Sequence, residues 1–454
     1  MQSKCSVKLL ALLALCTSPL GAQTPEYPFL LAENPREDDD PFFGWAYHVV
    51  AGDIDGNGFG DAVFASSSEL KIVLSHGKDL FTTTILTEYS AYDLRLADMN
   101  KDGALDLVYF GRTLRSNRTS IAIRMNDGRG SFANATYYSG LEGRTFDLAD
   151  VDKDGDVDLI LGTQVQNRLF LNDGSGKLGE AAGRLALIKD NTIKLRFADV
   201  DADGDADLAV INKAPGANYI WLNDGTGRFG TEIPSAIPSG LTVQQVEFAD
   251  VDGDNDLDLI AFPATVLLLN DGKGKFWWGG SRLFQVTGNR MVVTDLNRDG
   301  APDIAIAITA KQNRLLINNG KGYFGEGTNS MLPTEEGYGS GIAAGDIDQD
   351  GYTDLWVANA LVPNSQDQSQ NEYLHNEKGA KFTRGKRLLP DAALPRKWDA
   401  SHAVIAHDFD SDGDLDLVVG RNFNTQNGYL ENDGRGYFRD QTATAMPQSL
   451  ESTN

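Results

Sequence analysis

Eight times along the chain, short oxygen-bearing side chains return in one cadence, Asp-x-[Asp/Asn]-x-[Asp/Asn]-[Gly/Asn]-x-x-Asp. Position 1 is Asp53, Asp98, Asp150, Asp199, Asp250, Asp295, Asp346 and Asp408. Position 3 is Asp55, Asn100, Asp152, Asp201, Asp252, Asn297, Asp348 and Asp410. Position 5 is Asn57, Asp102, Asp154, Asp203, Asp254, Asp299, Asp350 and Asp412, and position 9 is Asp61, Asp106, Asp158, Asp207, Asp258, Asp303, Asp354 and Asp416. Carboxylates at alternate places in a tight loop aim several oxygens at one point, and calcium is a hard cation that takes six to eight of them. Position 6 needs a sharp turn and is Gly in seven copies. The eighth has Asn255, the side chain that best tolerates left-handed backbone after Gly. Position 7 is expected to offer only its backbone carbonyl, which leaves its side chain free to vary, as it does: Phe59, Ala104, Asp156, Asp205, Asp256, Ala301, Tyr352 and Asp414. The expected ligand is Ca2+, up to eight ions in a structural role. An EF-hand is excluded, because that loop needs Glu at position 12 and flanking helices, whereas Phe64 and Leu161 stand there in the first and third copies.

Loops of this kind must be held by something, and the spacing says what. Successive copies lie 45, 52, 49, 51, 45, 51 and 62 residues apart, a period typical of propellers or repeat arrays. Between them recurs Asn-Asp-Gly-x-Gly-x-Phe or a close variant, at Asn126, Asn172, Asn223, Asn270, Asn318 and Asn432. Worn copies stand at Asn376 and Ser75. Asn-Asp-Gly tolerates positive φ and marks β-hairpins when strands flank it, as Leu169-Phe-Leu171 and Tyr219-Ile-Trp-Leu222 do. Each unit then reads strand, Asp loop, strand, polar loop, strand, hairpin, strand, and no downstream stretch has helical periodicity. The fold class is all-β, a propeller of eight four-stranded blades. Seven blades plus an appendage is the alternative, because the first hairpin is so worn.

The units resemble the FG-GAP/VCBS repeats of secreted and surface proteins and are similar to the calcium-binding blades of integrin α-chain propellers. Gly345-Asp-Ile-Asp-Gln-Asp-Gly-Tyr-Thr-Asp-Leu355 and Ala149-Asp-Val-Asp-Lys-Asp-Gly-Asp-Val-Asp-Leu159 carry the resemblance, which spans about residues 45 to 440. The departures are a loop in every unit, where integrin propellers have seven blades and fill only some. A literal Phe-Gly…Gly-Ala-Pro signature is also missing, so the VCBS-like subgroup is nearer. The resemblance implies the fold and calcium but no substrate, since one fold hosts many functions.

The formal charge of −25 would by itself suggest a basic partner. Positions 1, 3, 5 and 9 of the loops hold 29 Asp, and without them the charge would be +4. The acidity therefore belongs to the loops, and nothing points to nucleic acid. Lys4 and Lys8, the apolar run Leu9 to Cys16, then Pro19, Gly21 and Ala22 read as an export signal over residues 1–22. The run is too short to span a bilayer, so the expected location is secreted, periplasmic or at the cell surface. Both cysteines, Cys5 and Cys16, fall in that signal, leaving a mature chain without disulfides. Residues 23–44 form an N-terminal segment able to add a closing strand, 45–445 the propeller and 446–454 a disordered tail.

Other residues offer little catalytic grammar. Of His48, His76, His375, His402 and His407, only the last two are near neighbours in sequence, and five residues apart on a strand they face opposite sides. No Ser-His-Asp or Cys-His set is recognisable. Trp277-Trp278 reads as blade-edge packing or a sugar-stacking platform, and Asn117 and Asn134 begin glycosylation sequons. Loops between second and third strands are rich in amides, as in 162–168, 211–218 and 420–427. With Arg112, Arg168, Lys213, Lys311, Arg314 and Arg421 they form the candidate face for a glycan or protein partner. The seventh unit adds an insert, Val362 to Asn371, and the basic cluster Arg384, Lys386, Arg387, Arg396 and Lys397. A binding, adhesion or scaffold module is the favoured reading. A calcium-dependent polysaccharide lyase, which needs a base and cations beside a uronate, is the alternative.

Overall fold

The computed structural model describes residues 48–65, 69–77, 80–86, 89–113, 119–141, 143–188, 191–213, 216–233, 243–263, 266–279, 288–334, 337–359, 371–384, 401–421 and 427–445. The expectations for residues 1–44 (signal and closing strand) and for 446–454 lie outside them, as does most of the seventh-unit insert.

Eight sheets of antiparallel strands stand in sequence order. The first blade is His48–Gly52, Asp61–Ala65, Leu70–Ser75 and Phe81–Leu86; the last is Ser401–His407, Asp416–Arg421, Gly428–Glu431 and Arg439–Asp440. Every blade takes its four strands from one stretch of chain. One addition is Thr309–Lys311, between the second and third strands of blade 6, which extends the inner edge of blade 7 by pairing with Gly337 and Tyr338. The worn hairpin after Ser75 still builds a full first blade, so the propeller has eight blades and the seven-bladed alternative falls.

Second strands such as Asp158–Thr163 are buried along their whole length, which is why they read as continuous apolar runs rather than alternating ones. Fourth strands such as Thr136–Ser139 are largely exposed. The core is not inside the blades but between them. Eight clusters of buried apolar side chains each join two neighbouring blades, including blades 8 and 1. The ring is thus closed by the same kind of packing that builds it.

Because strands alternate in direction, the Asp loops and the third-to-fourth-strand hairpins share one face. The loops between second and third strands lie on the other.

Candidate functional site

Each Asp loop joins the first and second strands of a blade, and its own side chains fold it. The position 1 carboxylate accepts the backbone N–H of position 6 at 2.8–3.0 Å in all eight loops. The position 5 oxygen accepts the N–H of position 7 in all eight at 2.7–3.1 Å. Position 6 has positive φ throughout, and Asn255 adopts it at 72° as the sequence predicts. Position 4 is also left-handed in every loop, at 57–62° for Lys101, Lys153, Ala202, Arg298, Gln349 and Ser411. Only Gly56 and Gly253 spare that position the strain a side chain brings there.

Position 9 links loop to blade. One oxygen accepts the N–H of position 2, as Asp158 does from Val151 at 3.0 Å. The other accepts from the last residue of the third strand, as Asp158 does from Asn172 at 2.8 Å. Burial pushes these carboxyls up from 3.8, to about 6 for Asp106 and Asp303 and about 7 for Asp61, Asp158, Asp207, Asp258 and Asp354. Asp416 reaches about 8.

The oxygens that remain decide what the loop can hold. Oδ1 of Asp150, Asp199, Asp346 and Asp408 at position 1, and of Asp152, Asp201, Asp252 and Asp348 at position 3, is buried without a hydrogen-bond partner. Leaving such acceptors bare is costly. Donor oxygens of Asp53, Asp55 and Asp61, and likewise of Asp150, Asp152 and Asp158, lie within 4.8 Å of one another. An oxygen-only cage of this kind fits a hard divalent cation. Loops with an Asn at position 3 or 5 differ: there the position 1 Oδ1 accepts the N–H of Asn57, Asp102 or Asp299 at 3.1–3.2 Å.

Two contacts escape a reading of the sequence by units. Three position 7 side chains are not idle, for they meet position 4 of the preceding blade. Lys101 Nζ reaches Asp156 Oδ1 at 2.6 Å and the Asp154 carbonyl at 3.1 Å, Lys153 pairs with Asp205, and Arg298 lies over the Tyr352 ring at 5.2 Å. The hairpin Asn, meanwhile, is more than a turn residue. Its Nδ2 donates to the position 2 carbonyl of the preceding blade, at 2.6–2.8 Å in seven junctions. Such a donor could have been suspected from its fixed place after an apolar strand, where a turn alone would also accept Asp or Gly.

The other face differs from expectation. Asn167, Asn218, Asn313 and Asn371 accept backbone N–H groups of Thr163, Asn212, Ile308 and Asn359 at 2.8–3.0 Å. These amides fold their own loops instead of waiting for a partner. Arg168 forms a two-pronged pair with Glu180, at 2.7 and 2.6 Å, Arg314 pairs with Glu326, and Arg384 with Glu372 at 2.6 Å. Arg112 lies within the second strand of blade 2 and Lys311 within the added strand. The side chain of Arg421, and Lys386, Arg387, Arg396 and Lys397, lie outside the described residues. Trp277 is exposed on the fourth strand of blade 5, and Asn134 is exposed while Asn117 lies outside the described residues.

The histidines are not equivalent. His407 is half-buried, and that burial pulls its pKa down; the side chain of His402 lies outside the described residues. His76 and His375 each approach a loop through the two worn hairpins, His76 Nδ1 at 3.5 Å from Asp55 and His375 Nδ1 at 3.0 Å from Asp348.

The FG-GAP-like repeat matches residues 53–109, 98–161, 150–210, 199–261 and 295–357. The chain belongs to the FG-GAP-like repeat family. Each match begins on a position 1 Asp and ends in the second strand of the next blade, so the family unit includes a junction. No curated protein matches the chain. Among solved structures, a lectin of Agrocybe aegerita, described for its recognition of non-reducing terminal N-acetylglucosamine, shares 24% identity over 62% of this chain and 80% of its own, with a TM-score of 0.44. A biofilm matrix protein of V. cholerae shares 12% over 78% and 80%, with a TM-score of 0.38. No helix among the described residues is long and apolar enough to cross a membrane.

Proposed function

We propose that this FG-GAP-like propeller is an exported binding or scaffold module, braced by structural Ca2+ in its eight Asp loops, that engages a glycan or protein partner. The observation that carries the reading is the set of buried, unpartnered carboxylate oxygens at positions 1 and 3. They recur at the same places in different blades, and a hard cation satisfies them together. Ligands would come from positions 1, 3, 5 and 9 and from the position 7 carbonyl. The loops are largely folded by their own hydrogen bonds, so the ion neutralises clustered charge in a frame already formed.

For the partner, the face opposite the loops is favoured. It exposes Val165, in the loop between the second and third strands of blade 3, and Lys311, in the strand added to blade 7. Export rests on the charged and apolar pattern of residues 4–22.

The experiment pairs a glycan array with an assay for unsaturated uronate products, both in calcium. Binding without turnover, weakened by a Val165→Asp change that leaves the melting temperature alone, fits the proposal. Release of unsaturated uronates makes the chain a lyase instead.

A further inference from the structure

One loop departs from the oxygen-only pattern. In blade 7 the residue just before the hairpin Asn is His375, where the other blades carry Leu74, Met125, Leu171, Leu222, Leu269, Ile317 and Glu431. Its Nδ1 lies 3.0 Å from Asp348 Oδ2 and 3.4 Å from Asp354 Oδ1. Despite this closeness it is buried and makes a hydrogen bond to neither. Oδ1 of Asp346 and of Asp348 in the same loop are likewise buried and unpartnered. Asp348, Asp354 and His375 can each contribute one donor atom within 4.8 Å of the others.

We propose that the seventh loop binds a first-row transition ion of the zinc class, through His375 Nδ1 with Asp348 and Asp354, while the oxygen-only loops hold calcium. The proposal rests on the reading of the loops as divalent-cation sites and assigns one of them a different metal. An imidazole nitrogen suits a borderline ion such as zinc, whereas carboxylate and carbonyl oxygens suit calcium. Spacing agrees: two ligands about 2.1 Å from a tetrahedral zinc stand about 3.4 Å apart, close to the separations found. Two atoms at ion-pair distance but misaligned for a hydrogen bond are what co-ligands of one ion look like.

His76 provides the internal contrast. It too sits beside a position 3 carboxylate, yet both its nitrogens are engaged, Nδ1 with Asn57 Nδ2 at 3.3 Å and Nε2 with Thr82 Oγ1 at 2.9 Å. It therefore has no free lone pair to give. Glu431, at the matching place in blade 8, carries oxygen rather than nitrogen.

The test loads the full chain with calcium, adds Zn2+, dialyses against calcium and counts both metals. The wild type and His76→Leu are expected to keep one equivalent of zinc. His375→Leu and His375→Gln are expected to keep none, with zinc affinity reduced at least about tenfold and calcium in the other loops unchanged. Two substitutions separate loss of the nitrogen from loss of the fold, which the unchanged calcium count also reports. Zinc retained equally by both His375 variants, or calcium bound but no zinc in the wild type, overturns this inference alone. Neither metal bound in the wild type overturns the calcium reading of the loops as well.

Discussion

Seven of the eight junctions between blades are fastened by one device, and the eighth, where the ends of the ring meet, is fastened by another. Between blades 3 and 4, Asn223 Nδ2 donates to the Val151 carbonyl at 2.7 Å and to the Ala206 carbonyl at 3.3 Å. Position 2 is thereby held three ways: its side chain in the junction core, its N–H on its own position 9 Asp, its carbonyl on the next blade's amide. At the seam between blades 8 and 1 the amide is replaced by Ser75, too short to reach across. There position 2 is Phe409 rather than an aliphatic residue. It packs edge-on against Tyr429 at 5.8 Å and against His407 at 5.3 Å, while Phe81 meets Tyr429 at 4.9 Å. Ser411 Oγ, from position 4 of the eighth loop, donates to the Gly58 carbonyl. A small cavity lined by Gly60, Ser75, Phe81, Phe409 and Tyr429 remains. Repeated junctions can rely on a directional bond because each blade forms beside its predecessor in sequence. The closing contact joins residues some 350 apart, and it is made of apolar packing that tolerates small misfits.

The sharpest way to break this contrast is Phe409→Ala. Emptying the seam should cost about 3–5 kcal/mol and expose the terminal blades to protease first. A loss below about 1 kcal/mol, or protection equal to the wild type, would show that the seam is not held by packing. Asn223→Ala leaves two buried carbonyls short of a donor and should cost about 2–3 kcal/mol, against less than about 1 kcal/mol for Ser75→Ala. Equal losses in denaturant unfolding would erase the difference between the junctions. Ser75→Asn sharpens it from the other side: an amide that reaches the Phe409 carbonyl is expected to gain up to about 1 kcal/mol. Destabilisation by that change would mean the seam geometry rejects the device used elsewhere.

A further prediction concerns acidity in the metal-free chain. The position 9 carboxyls are raised from 3.8 to between about 6 and 8 by burial. A raised acid favours the fold while protonated and loses that advantage as pH rises through its folded pKa. In chelator, the melting temperature should therefore fall between pH 6 and pH 8, and added calcium should abolish the trend. A metal-free chain that melts higher at pH 8 than at pH 6 contradicts the burial account.

What could be read from the sequence depended on whether a residue's role is local. The eight loops, the four strands per unit and the left-handed turn at Asn255 follow from spacing and from backbone tolerance. The hairpin Asn was legible as a turn residue, yet its amide acts across the junction, and turn chemistry masks that second demand. At position 4, Lys101, Ala202 and Ser411 share no chemistry; what they share is a positive φ, and only some of the residues there, such as Lys101 and Lys153, also reach position 7 of the next blade. The amides of Asn167 and Asn313 looked available because a sequence does not show which backbone N–H groups lack partners. His375 stands 21 residues beyond Asp354, and only the hairpin's return brings it to the loop.

Thermal melting of the full chain in millimolar calcium and in chelator tests the central claim most directly. A ligand that binds only the folded form at a hundredfold excess over Kd adds about 2.7 kcal/mol per site. With eight loops and no disulfide in the propeller, the chelated chain should melt more than about 10 °C lower, losing calcium first from the loops carrying Asn57, Asn100 and Asn297. Superimposable melting curves in the two conditions would contradict it, leaving the loops as turns that fold themselves.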